Sequence, residues 1–161
     1  MQIYTSYFYQ IRFFKPNMLP LSTAVWDPKW YHEFKGPGHT FVDKNGVING
    51  MRAEPFKPGP TCEDKCRGPE NCATKDPNTC PFLDCYFNQL MHLPIEAVKE
   101  RLRILAEKAR KVNNFEGEPI FVFIVHEAIG NPCSERGALQ RYFTENGIPC
   151  TEIDPHSDEF R

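Results

Sequence analysis

The chain has 161 residues, enough for one domain with a real core, and at 40% apolar and 25% charged it has an ordinary globular composition. Its formal charge of −2 removes any general electrostatic case for nucleic acid or an anionic membrane surface. The start, "MQIYTSYFYQIRFF", lacks a basic stretch followed by an apolar run, and the longest apolar run, "IFVFIV", is far too short to span a bilayer. A soluble, cytoplasmic protein is the expectation.

In chain order, "QIYTSYFYQI" is rich in aromatic and β-branched residues and predicts a first strand, broken at Pro16 and Asn17. "MLPLSTAV" predicts a second strand, and "WDPKWYHEF" leaves it. Residues 35–86 are rich in Gly, Pro and Cys and read as an irregular insertion, which needs something to organise it. The period then changes. In "LPIEAVKERLRILAEKARKV", Ile95, Val98, Leu102, Leu105, Ala109 and Val112 recur at steps of three and four, the buried stripe of an amphipathic helix. "IFVFIVHE" reads as a central strand covered on both faces. Asn131 and Pro132 then suit a helix start, and Asn146 and Gly147 a helix end. "IPCTEI" supplies a last strand. The order predicts a single α/β domain, 1–161, with an open, largely parallel sheet flanked by helices.

In such sheets ligands sit beyond the carboxyl ends of the strands, near helix N-termini. Three segments qualify: Thr5, Ser6 and Tyr7 in the first strand; Trp26, Asp27, Lys29 and Trp30 after the second; and "HEAIGNPCSER" after the third. A helix starting near Pro132 would offer unpaired amides to a phosphate or carboxylate, with Arg136 as a forked donor and Ser134 beside it. Cys133 in its first turn would have a depressed pKa, and His126 and Glu127 are candidate acid–base groups. Each residue also has a duller role open to it. Cys133 can be a small buried hydrophobe, Glu135 a favourable charge on the helix dipole, and Arg136 the partner of a surface carboxylate.

Together, "IYTSYF", "W-x-P-K-W" and "HE…NPCSER…NGI" resemble the uncharacterised family called domain of unknown function 488. The resemblance implies a Rossmann-like fold. Many members have a Cys-His-Arg turn at the strand-to-helix junction. This chain has Cys133, Ser134, Glu135 and Arg136 there, without the histidine. The cysteine-rich middle looks like an insertion found in one branch.

That middle, "CEDKCRGPENCATKDPNTCPFLDC", places Cys62, Cys66, Cys72, Cys80 and Cys85 at intervals that match no standard CxxC…CxxC finger. In a chain without an export signal, metal binding outranks disulfides. Structural zinc is the first expectation, with His92 or His39 able to replace one thiolate, and an iron–sulfur cluster is the second. Reduced cysteines or a disulfide remain as the alternative. The favoured function is an enzyme or ligand-binding protein acting on a nucleotide or another phosphorylated small molecule. Tyr7, Trp26 and Trp30 would be available to stack on a base. The alternative is a metal-stabilised module for protein or nucleic-acid interaction, without catalysis. Its nucleic-acid version is weakened by the mixed charge of the insertion. A redox pair of Cys133 and Cys150 is a third, less favoured reading.

Overall fold

The structure, a computed structural model, describes residues 1–32, 41–42, 48–49, 51–66, 76–130 and 133–160. In chain order its elements are β1 (Gln2–Tyr7), β2 (Met18–Ser22), β3 (Phe41–Val42), β4 (Ile48–Asn49), α1 (Pro60–Glu63), α2 (Pro81–Met91), α3 (Ile95–Asn113), β5 (Ile120–Val125), α4 (Arg136–Glu145) and β6 (Cys150–Glu152). Four strands form one all-parallel sheet in the order β2-β5-β1-β6, and β3 pairs with β4 antiparallel. Beyond β2 the ladder gains one more rung, where the Ser22 amide donates to the Met51 carbonyl and the Ala53 amide to that of Ser22. The α/β architecture expected from the order of elements is the one the chain adopts.

β5 lies between β2 and β1, and all six of its residues are buried, as a continuous apolar run implies. Strand alternation splits the six side chains between two cores. Phe121, Phe123 and Val125 join Ile3, Leu19 and Leu21 beneath α2, α3 and α4. Ile120, Val122 and Ile124 join Met18, Phe8, Ile11, Tyr31 and Phe160 on the other face. That second face is covered by short 3-10 turns at Phe8–Phe13, Lys29–His32 and Asp158–Phe160. The first strand is thus shorter than its aromatic run suggests: at Phe8 the chain turns back to cap the sheet.

Three other boundaries differ from expectation. α2 forms where an irregular insertion was expected, and its buried Phe82, Leu83, Tyr86 and Leu90 define a helical face begun by Pro81. The buried stripe of α3 runs Val98, Leu102, Ala106, Ala109 and Asn113, leaving Val112 47% exposed. Asn113 takes the last inward position because its side-chain amide donates to the Pro16 carbonyl at 2.9 Å. α4 begins at Arg136, not near Pro132, so Cys133 precedes the first turn and is not in it. Residues 133–135 instead form a turn in which Ser134 Oγ accepts from the Arg136 amide at 3.3 Å. The expected end of α4 is present, with Gly147 at φ 81° supplying the left-handed residue. Among the described residues no helix is long and apolar enough to cross a membrane.

The doubly buried strand makes one test simple. Phe123 is fully buried against Phe56 and Phe143, with ring centroids 4.9 and 5.0 Å away, so Phe123→Ala should cost about 3–5 kcal/mol in a urea titration. Ile104→Ala, at a position 46% exposed on α3, should stay within about 0.5 kcal/mol. Equal losses would contradict this placement of the core.

Candidate functional site

Because the sheet is all-parallel, the carboxyl ends of β1, β2, β5 and β6 share one edge. Two polar clusters form there. The first joins three strands to α4. Arg136 holds Glu152 with two nitrogens, Nε to Oε2 at 2.6 Å and a terminal nitrogen to Oε1 at 3.2 Å. The same guanidinium donates to the Glu127 carbonyl at 2.8 Å and the Ala128 carbonyl at 3.3 Å. Thr5 donates its hydroxyl to Glu152 at 2.8 Å and accepts from the Gln140 side-chain amide at 2.8 Å. The Arg136 guanidinium carbon also lies 5.9 Å from the Tyr7 ring centre. The expected neighbours Thr5, Tyr7, Glu127 and Arg136 therefore do converge. Glu152 and Gln140, which the sequence did not single out, complete the set. Arg136 meets a carboxylate and two carbonyls, which engage four of its five N–H donors.

Next to this network sits Glu135, the residue before α4. Burial pushes its carboxyl up to about 8, with the Glu127 carboxylate adding to the shift, a hydrogen bond with Thr23 opposing it, and the Glu63 charge adding again. Its Oε2 is buried and has no hydrogen-bond partner. Ser134, almost fully buried, donates to Glu127 at 3.3 Å. At neutral pH this corner thus holds a neutral carboxylic acid beside a second carboxylate, an arrangement suited to giving and taking protons.

The second cluster lies beyond β2. Asp27 accepts from the Ser22 hydroxyl and, at 2.5 Å, from Arg52, and the Arg52–Asp27 pair is nearly inaccessible, with side chains 6% and 2% exposed. Arg52 also donates to the Ala24 carbonyl at 2.7 Å and pairs with Glu54. Tyr31 places its hydroxyl between the Pro20 and Met51 carbonyls. This cluster fastens the 51–54 segment to the sheet, and no local sequence pattern announces the partnership of Arg52 with Asp27. His126 is held on this side, with Nε2 at the Trp26 carbonyl and its ring 5.1 Å from that of Phe8. It stands apart from the carboxyl pair in its contacts. Lys29 and Trp30 are exposed and Trp26 is 79% exposed. Ser6 is fully buried with an unpartnered hydroxyl.

Cys133 is half-buried against the helical core, and burial pushes the Cys150 thiol up to about 12, with Glu152 adding to it. Such a thiol is almost entirely protonated at neutral pH and a poor nucleophile. Of the cysteines expected to bind metal, Cys62 and Cys85 form a disulfide, Cys80 is buried and Cys66 is exposed. Cys72 lies outside the described residues, as does His39. His92 is exposed, with Nδ1 2.7 Å from the Asn88 carbonyl. Among the described residues no group of three or more His, Cys, Asp or Glu is arranged to hold a metal ion. Two hollows lined by described residues lie elsewhere. One of about 550 Å³ sits at the amino-terminal edge of the sheet by Lys15, Asn17 and Glu118, and one of about 200 Å³ lies between α2 and α4.

Compared with protein-family models, curated proteins and solved structures, the chain matches none. The site is therefore read from its own chemistry.

Two outcomes follow from these contacts. Arg136→Ala strands Glu152 and should lower stability by about 3 kcal/mol, whereas adding Glu152→Ala should restore part of the loss. Strict additivity of the two would contradict the pairing. Glu135 binds its proton more tightly folded than unfolded, so the wild type should lose stability as pH rises from the ordinary glutamate range to about 8. Glu135→Gln cannot titrate. Its advantage over wild type should grow through that window by on the order of 4 kcal/mol and then level off. Parallel stability curves for the two proteins would show an ordinary carboxylate.

Proposed function

We propose that the protein binds a small uncharged or weakly basic polar molecule at the carboxyl edge of the sheet and moves a proton on it. Glu135 is the acid and Glu127 its partner carboxylate. The observation that carries this reading is a buried carboxyl group with an unpartnered oxygen, beside a second carboxylate at a strand-to-helix junction. A structural carboxylate gains nothing from such a place, because burial without a cation works against its charged form. A proton donor does gain, since its pKa lies near neutrality. Ser134 orients Glu127, and the Thr5–Glu152–Arg136 network fixes the start of α4.

The nucleotide or phosphorylated ligand expected from the sequence needed Arg136 as an anion donor and an open helix end. Arg136 instead faces Glu152 and two carbonyls, and carboxylates surround the helix start, so negative charge would meet repulsion there. Exposed Lys29 and Trp26 on the same edge are the features that favour a phosphorylated ligand.

Thermal unfolding at pH 7 with nucleosides, sugars, amines, nucleotides and inorganic phosphate separates the two readings. An uncharged or basic compound should raise Tm, and Glu127→Gln and Glu135→Gln should each weaken its Kd by about tenfold or more. If only phosphate-bearing compounds raise Tm, the acid–base reading is wrong and the nucleotide reading takes its place.

A further inference from the structure

The hollow of about 550 Å³ lies where β2 and β5 begin, at the edge of the sheet opposite to Glu135. Backbone and side-chain bonds tie its walls together. The Asn17 carbonyl accepts from the Ile120 amide at 2.8 Å, and the Asn17 side-chain amide donates to the Glu118 carbonyl at 3.0 Å. Asn113 joins the end of α3 to the Pro16 carbonyl at 2.9 Å. Asn114, with φ 48°, then ends α3 in the left-handed region at the rim of the hollow. The recess is preformed and of a size that takes a small organic molecule.

Its lining has two characters. Met18, Phe115, Ile120 and Phe160 are buried residues that supply the apolar part. Around them stand three exposed carboxylates, Glu116, Glu118 and Glu159, against one ammonium, Lys15. Glu159 accepts from the Tyr4 hydroxyl at 3.2 Å, whereas the carboxylates of Glu116 and Glu118 meet no donor among the described residues. Lys15 pairs with none of the three, although Lys99, Arg103 and Arg141 elsewhere on the surface each hold a glutamate. Arg110 is engaged away from these carboxylates, donating to the Gly117 carbonyl at 2.9 Å with its guanidinium over the Phe115 ring. Two further acceptors are close in the chain. Asn113, bonded to Pro16 and preceding Asn114, keeps a buried Oδ1 without a partner. The end of α3 adds the partial negative charge of a helix C-terminus.

We propose that this hollow binds a small organic amine, its ammonium among Glu116, Glu118 and Glu159 and its apolar body against Met18, Phe115, Ile120 and Phe160. Three carboxylates against one lysine leave a local excess of negative charge. An anion is repelled there, and an uncharged molecule gains the apolar contact alone. The site is separate from Glu135 and does not rest on the proton transfer proposed for it.

The experiment titrates the full chain, labelled with nitrogen-15, with 2-phenylethylamine. Its analogues 2-phenylethanol and phenylacetate keep the body and change the charge. The amine should give saturable amide shifts within residues 15–18 and 114–120. The alcohol should bind about threefold more weakly or worse, and phenylacetate should give no shifts. Glu116→Gln and Glu118→Gln, at exposed positions, should each weaken the Kd of the amine by about threefold, and Lys15→Ala should tighten it by a similar factor. Glu135→Gln should leave it unchanged. Shifts that stay linear to about 20 mM amine, or equal affinity for the alcohol, overturn the proposal. So does a Kd that neither glutamate substitution alters. Weaker binding after Lys15→Ala would mean that the hollow takes a zwitterion and would refute the amine. Shifts at Thr5, Thr23 and Glu152 in place of those expected would put the amine at the other edge, refuting this site while leaving the proposed function intact.

Discussion

Burial of β5 on both faces organises everything else. A strand with six buried residues must have neighbours on both sides and cover above and below. β1 and β2 supply the neighbours, running parallel to it. Parallel pairing then brings all the strand exits to one edge, and the chain leaving β5 turns there into α4. The polar residues that follow Val125 are therefore delivered to the place where Thr5, Thr23 and Glu152 also arrive.

At that edge the arginines are structural. Arg52 is fixed by Asp27 and Glu54 and holds the segment outside β2, while Arg136 is fixed by Glu152 and holds α4 to β6. Their charges are satisfied within the fold. Glu135 is instead raised by the neighbouring charges of Glu127 and Glu63. A neutral acid at a strand-to-helix junction is a chemical resource, and its cost in stability is a reason to look for function there.

Much of the architecture was legible from residue order. The apolar run at 120–125 announced a central strand, the three-four spacing after Pro94 announced α3, and Asn146-Gly147 announced the end of α4. α2 was missed because the prolines and cysteines leading into it resembled a loop, although Phe82, Leu83, Tyr86 and Leu90 already shared one face. The beginning of α4 was misplaced because Pro132 suited a first turn, whereas Ser134 and Arg136 set the start further on. The site was legible as a place, since topology brings "TSY" and "CSER" together. Its chemistry was less so. Glu135 looks like an ordinary helix-dipole residue until its burial in the fold is known. Likewise, nothing near Arg136 predicts Glu152, sixteen residues on.

With its carboxyl pushed up to about 8, Glu135 should be mostly neutral in the folded protein at neutral pH. Infrared spectroscopy of the folded, oxidised protein at pH 7 tests it most directly, because a protonated carboxyl group absorbs apart from carboxylates. The wild type should show a protonated-carboxyl band that disappears above pH 9 and is absent from Glu135→Gln. Identical spectra for wild type and Glu135→Gln in that region at pH 7 would contradict it.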